Sequence, residues 1–214
     1  PLLFKVLQKI AETPAAARPH FIFFSSGGAV YGPGIGRPMQ ESDPCKPIGW
    51  YAEAKLAAEE IIRIYTERHG LACTVLRVSN PYGFPVPAQR AQGIIPRAFH
   101  CAWTGETLSL WGDGSARKDF LHYTDFNRAL QAVIDRRLTG TFNLAAGRSF
   151  SVREIITQVE ALTGKKIRLE STPAPAWDVQ ASELDNRKLA AAAAWTPQVS
   201  LEAGLQLTAR ELRA

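Results

Sequence analysis

The sequence predicts an α/β protein built on a parallel sheet with helices on its faces, and three observations predict it. Short apolar runs rich in aromatic and β-branched residues, at 21–24 and 73–78, alternate with helical patterns. Small or turn-forming residues follow each run, Ser25-Ser26-Gly27-Gly28 after the first and Ser79-Asn80-Pro81-Tyr82-Gly83 after the second. Such residues let a ligand approach the backbone at the carboxyl edge of an open sheet. At 214 residues, 46% of them hydrophobic, the chain has enough apolar side chains for one core and a small additional lobe.

In chain order, Leu3, Phe4, Leu7 and Ile10 fall at helical spacing, and Pro14 ends that helix. Residues 21–24 read as a strand buried on both faces, as in parallel sheets. A loop rich in Gly and Pro occupies 31–49. An amphipathic helix over 51–69 follows, stopped by Gly70 as a C-terminal cap. The strand at 73–78 comes next, then an irregular stretch over 84–91 and a helix over 94–102. A short alternating strand at 108–111 precedes the turn Gly112-Asp113-Gly114, and a second brief strand covers 119–123. Thr124 is the expected cap of a helix reaching Arg136, and 141–145 has strand character. Ser151-Val-Arg-Glu154 is a capping box for a helix to Leu162, and 167–171 is a strand. Beyond a Pro-rich link at 173–175, the helices expected are 186–194 and 200–212.

Composition excludes several classes. No apolar run is long enough for a membrane-spanning helix and no targeting sequence is recognisable, so a cytoplasmic location is the default expectation. Three widely spaced cysteines, Cys45, Cys73 and Cys101, give neither a disulfide framework nor a zinc site, and no metal is expected. The net charge of +5 comes from dispersed basic residues, which argues for anionic small molecules and against a nucleic acid.

Chemistry enters with Tyr51 and Lys55. Residues four apart share a helix face, so the Lys55 ammonium lies beside the Tyr51 phenol and favours its ionised form, a setting for proton exchange near neutral pH. The flanks form an ordered series: Ser25-Ser-Gly-Gly-Ala-Val-Tyr-Gly32, the Tyr51-x-x-x-Lys55 helix, Leu76-Arg-Val-Ser-Asn-Pro-Tyr-Gly83, Trp111-Gly-Asp-Gly-Ser115, and Lys118-Asp-Phe-Leu-His122. This series resembles the NAD-dependent epimerase/dehydratase family, the extended short-chain dehydrogenase/reductases. The resemblance implies a partial Rossmann-like sheet in residues 1–90 and a small α/β substrate-binding lobe in 91–214, with 119–145 returning to the sheet. It implies NAD as cofactor and a nucleotide-diphosphate sugar as substrate. Tyr51, Lys55 and Ser26 would be catalytic, and Ser25, Ser26, Tyr51, Lys55, Val78 and Ser79 would contact the cofactor. Asn80, Gly93, Ile94, Ser109, Trp111, Arg117 and Lys118 would contact substrate. For Trp111 a base-stacking role stands beside that of a core indole on an edge strand, and His122 reads as structural.

Several positions depart from the family pattern. The expected hydroxyl residue three places before Val30-Tyr31-Gly32 is Gly27, leaving Ser26 or water to supply a hydroxyl. Lys118 stands where an arginine usually grips the diphosphate, with Arg117 beside it as a substitute, and Pro175-Ala-Trp177 precedes Asp178 where a second arginine is expected. No glycine-rich G-x-G-x-x-G loop for a cofactor pyrophosphate occurs in these 214 residues. The expectation is therefore a chain covering the later part of such an enzyme. Its 21–24 strand becomes an exposed apolar edge that dimerises or pairs with an absent N-terminal half. A 4-epimerase is favoured over a dehydratase, because Gly27-Gly28-Ala29 replaces the dehydratase acid pair. The competing reading is a catalytically silent remnant acting as a binding module.

Overall fold

The computed structural model describes residues 2–84 and 92–212. In chain order the elements are α1 (Leu2–Glu12), β1 (Phe21–Ser26), the single turn α2 (Gly27–Val30), α3 (Trp50–His69), β2 (Cys73–Val78), β3 (Asn80–Tyr82), α4 (Ile94–Thr104) and β4 (Thr107–Trp111). They continue with β5 (Arg117–His122), α5 (Tyr123–Asp135), β6 (Gly140–Leu144), β7 (Ser149–Ser151), α6 (Val152–Thr163), β8 (Arg168–Thr172), α7 (Arg187–Ala193) and α8 (Leu201–Glu211).

β2 is the centre of the main sheet because every one of its six residues is buried, a pattern only an apolar run covered on both faces satisfies. It pairs in parallel with β1 on one side, Phe21 opposite Cys73, and with β6 on the other, Thr74 opposite Gly140. Successive strand residues point to opposite faces. Cys73 and Val75 accordingly meet α1 and α3 through Leu7, Ile10 and Ile62, while Leu76 and Val78 meet α5 and α7 through Ala129, Val133 and Leu189. Helices thus cover both faces, and each fully buried Leu or Ile contributes about 1.5–3 kcal/mol.

A second core joins α4, β4, α6 and α8 through Ile95, Phe99, Leu108, Ile155, Val159 and Leu205. Its sheet is the parallel pair β4 and β8. Between the two cores runs a ribbon in which β5 pairs in parallel with β3 and antiparallel with β7. Asp119, completely buried in β5, ties this ribbon to its surroundings by accepting the N–H groups of Ala146 at 2.9 Å, Gly147 at 3.0 Å and Leu184 at 3.5 Å.

Several expectations are corrected. β1 is not buried on both faces: Phe24 is 40% exposed, because β2 is the only strand paired with it among the described residues. The cap of α5 is His122 and not Thr124, since the His122 Nδ1 accepts the Thr124 N–H and burial pushes that imidazole below its ordinary pKa. The short strands β3 and β7 are too brief for any periodicity to announce them and exist only through their partner β5. The capping box is present as expected, with Ser151 and Glu154 satisfying each other's backbone N–H groups. The irregular stretch expected over 84–91 lies, from 85 onward, outside the described residues.

Candidate active site

The site forms where β1 ends and α3 begins. Gly49 precedes α3 with φ of 88°, a conformation that favours glycine, and a Cβ there would stand 3.1 Å from the Trp177 Cβ. Tyr51, Lys55 and Glu59 then follow at intervals of four along one face of the helix. Glu59 is buried and anchors that face to the sheet. It accepts the Ser25 hydroxyl of β1 and pairs with Arg77 of β2, whose Nη2 lies 2.7 Å from Glu59 Oε2. Arg77 also stands 4.8 Å from the Tyr31 ring centroid, and burial pushes the Tyr31 phenol up to about 12. Lys55 Nζ donates to the Phe24 carbonyl at 2.8 Å and lies 5.7 Å from the Tyr51 ring centroid. Tyr51 itself is largely exposed.

Tyr51 faces a cavity of about 480 Å³ lined also by Ser26, Gly28, Ala29, Asn80, Lys118 and Asp178. A second cavity, of about 570 Å³, is lined by Asn80, Gly93, Ile94, Ser109, Trp111 and Lys118, together with Asp178. The two share Asn80, Lys118 and Asp178, so they meet at one junction. There Lys118 Nζ pairs with Asp178 Oδ1 at 2.9 Å and also donates to the Val179 carbonyl. Asn80 Nδ2 donates to the Asp119 carbonyl at 3.0 Å, which fixes its amide at the boundary.

Eight of the residues singled out in the sequence therefore line one or both cavities: Ser26, Tyr51, Asn80, Gly93, Ile94, Ser109, Trp111 and Lys118. Lys55 lies beside them. Ser25 and Arg117 are turned away by strand alternation. Ser25 points beneath α3 to Glu59, while Arg117 reaches the Ser149 carbonyl at 2.7 Å and Glu154 at 2.9 Å and does not stand in for the missing arginine. Val78 packs in the core, and the buried Ser79 gives its N–H to Leu144 at 3.0 Å. Gly27 has no space for the hydroxyl residue of the family pattern, because a Cβ there would meet the Arg77 carbonyl oxygen at 2.9 Å and Leu184 Cδ1 closer still.

Three neighbours of the site escape sequence reasoning. Asp178 and Trp177 arrive from the distant 173–182 segment, where Trp177 sits edge-on to Trp111 with ring centroids 5.0 Å apart. The buried Ser182 Oγ has no partner among the described residues and lies 3.7 Å from where a Cβ on Gly28 would stand. The sequence signal for this segment is its place in the family pattern, where an arginine is expected just before Asp178, with no spacing that fixes its distance from Tyr51. Among the described residues no cluster of His, Cys, Asp or Glu suits a metal ion, and no helix is long and apolar enough to cross a membrane.

An open parallel sheet with a Tyr-x-x-x-Lys helix at its carboxyl edge and a cleft beside it is the architecture of an α/β protein of the short-chain dehydrogenase type. Residues 4–145 match the NAD dependent epimerase/dehydratase family, and the chain belongs to that family. The UDP-glucose 4-epimerase of Mycolicibacterium smegmatis is 30% identical over 190 residues, covering 88% of this chain and 61% of that protein. A putative UDP-glucose 4-epimerase of Methanocaldococcus jannaschii is 27% identical over 185 residues, covering 86% of this chain and 60% of that protein. The chain thus spans less than two thirds of the length of these relatives. Among solved structures, the UDP-glucose 4-epimerase of Thermotoga maritima with UDP-glucose superposes with a TM-score of 0.89 at 30% identity, over 99% of this chain and 68% of that one. The Thermus thermophilus UDP-glucose 4-epimerase in complex with NAD gives 0.90 at 26% identity, again over 99% and 68%.

Proposed function

We propose that this chain carries the acid/base and substrate side of an NAD-dependent nucleotide-sugar 4-epimerase. The observation that carries the reading is the convergence of Tyr51, Ser26 and Asn80 on one cavity with the Lys55 ammonium 5.7 Å from the Tyr51 ring. Complexes of relatives with NAD and with UDP-glucose support it. The residues present fit the reactive end of a nicotinamide cofactor: Gly28 and Ala29 line the cavity at the sheet edge, and the Ser182 hydroxyl, without a partner among the described residues, lies near Gly28. They do not supply a glycine-rich pyrophosphate loop. When bound, the nicotinamide provides a hydride acceptor.

On this reading Tyr51 Oη takes the proton from a sugar hydroxyl and returns one to the re-reduced carbon's oxygen. Lys55 stabilises the phenolate between those events by charge. Ser26 donates a hydrogen bond to the reacting oxygen, the task that Gly27 has no side chain to perform. Asn80 and Lys118 orient the diphosphate, and Trp111 offers an indole to the base. The core around β2 then forms the cofactor side, and the core around α4 and α6 forms the substrate lobe, with β5, α5 and β6 crossing back.

Calorimetric titration of NAD into the purified chain, beside Lys55→Ala, tests the cofactor side, and chromatography of UDP-glucose incubated with NAD and the chain tests turnover. Binding weakened at least tenfold by the substitution, with epimerised product, is the expected result. Absence of NAD binding, or equal binding by the variant, overturns the catalytic reading. The competing reading is a binding module, favoured by the lack of a glycine-rich loop in these residues; it predicts UDP-sugar binding with no NAD affinity.

A further inference from the structure

We propose that Asp178 sets the affinity of the cavity junction for phosphorylated ligands by pairing with Lys118 and balancing its charge, so that a phosphate reaches the ammonium only by displacing the carboxylate. The inference rests on the reading above that the joined cavities receive a nucleotide-linked ligand.

Lys118 and Asp178 line both cavities, and their side chains are only 20% and 10% exposed. A pair so placed is screened by water and salt less than one on the open surface. The other cation lining these cavities among the described residues, Arg97, is paired with Glu106 at 3.1 Å. Each described cation of the lining is therefore already matched by a carboxylate. Among the described lining residues, a diphosphate entering at Asn80 therefore meets no cation that is not already paired with a carboxylate.

Two further bonds make this arrangement testable. Lys118 Nζ also donates to the Val179 carbonyl, which keeps the ammonium at the junction when the carboxylate is neutralised. Gln180 Nε2 donates to Asp178 Oδ2 at 3.1 Å and gives a carboxylate displaced from Lys118 a remaining partner. Substitution at 178 therefore changes charge with little change of shape. Lysine suits such an exchangeable pairing better than arginine, because a compact ammonium is not held by the two parallel bonds that a guanidinium makes to a carboxylate.

The test is calorimetric titration of UDP into four versions of the chain at low ionic strength: the parent, Asp178→Asn, Lys118→Met and the double variant. If Asp178 is the counter-charge, Asp178→Asn binds UDP about tenfold more tightly than the parent, about 1.4 kcal/mol. Lys118→Met binds about tenfold more weakly, and the double variant, neutral at the junction like the parent, returns to within about threefold of it. The advantage of Asp178→Asn shrinks as salt is raised to about 0.5 M. UDP binding by Asp178→Asn when the parent shows none also supports the proposal. If the parent binds UDP and Asp178→Asn binds equally or more weakly, the proposal is overturned while the site reading stands. If none of the four binds UDP, both fail.

Discussion

Glu59 is the residue whose removal tests most directly how the site is held. It lies two helical turns beyond Tyr51 and couples α3 to both β1 and β2 through the Ser25 hydroxyl and the Arg77 guanidinium. The side chains of the Glu59 and Arg77 pair are 8% and 9% exposed, so Glu59→Ala leaves a buried, unpaired guanidinium and a Ser25 hydroxyl without its acceptor. Breaking a buried pair from one side costs about 3–5 kcal/mol, a large share of the ~5–15 kcal/mol typical of a folded domain. Replacing both partners by methionine removes the two charges together, and this double variant should be more stable than Glu59→Met alone, because no unpaired ion remains. Urea unfolding followed by tryptophan fluorescence measures both quantities, provided the slope of the transition is unchanged. A loss below about 1 kcal/mol for Glu59→Ala, or a double variant less stable than Glu59→Met, would refute the argument that this ion pair anchors the helix.

Other substitutions probe separate parts of the reasoning. Gly27→Ser, which restores the hydroxyl of the family pattern, should destabilise the chain by about 1–3 kcal/mol, because the added Cβ meets the Arg77 carbonyl and Leu184; an unchanged urea midpoint would show that the strand end can yield. Complete burial pushes the Asp119 carboxyl from its ordinary 3.8 up to about 7, against the pull of three backbone N–H groups. Its native pKa lies above its unfolded one, so its contribution is full below about pH 4 and is lost as pH rises through 7; relative to Asp119→Asn the parent should lose roughly 2–4 kcal/mol over that window, and a pH-independent difference between the two would contradict this. Tyr51→Phe removes only an exposed hydroxyl and should change stability by less than about 0.5 kcal/mol, and on the proposed epimerase reading it should abolish turnover of UDP-glucose. Retained turnover would remove Tyr51 from the acid/base role.

How much of this was legible in the sequence depended on the range of the interaction concerned. The strand at Cys73–Val78 and the long helix ending at Gly70 announced themselves by composition, periodicity and capping, which are set by neighbours within a few residues. The Tyr51 and Lys55 pair was equally local, since helical geometry alone places residues four apart on one face. Which of two adjacent residues lines the cavities was not settled by type, and strand alternation decided it: Ser26 rather than Ser25, Lys118 rather than Arg117. β3 and β7, three residues each, have no signature of their own because their ladder bonds come from β5. The pairing of Lys118 with Asp178, sixty residues apart in the chain, and the crowding that fixes glycine at position 27 arise only when distant segments pack together. The sequence by itself determined the alternating α/β pattern and the placing of Tyr51 and Lys55 on one helix face; tertiary structure alone decided which charges are free to meet a ligand, because ion pairing and steric exclusion are properties of neighbours in space.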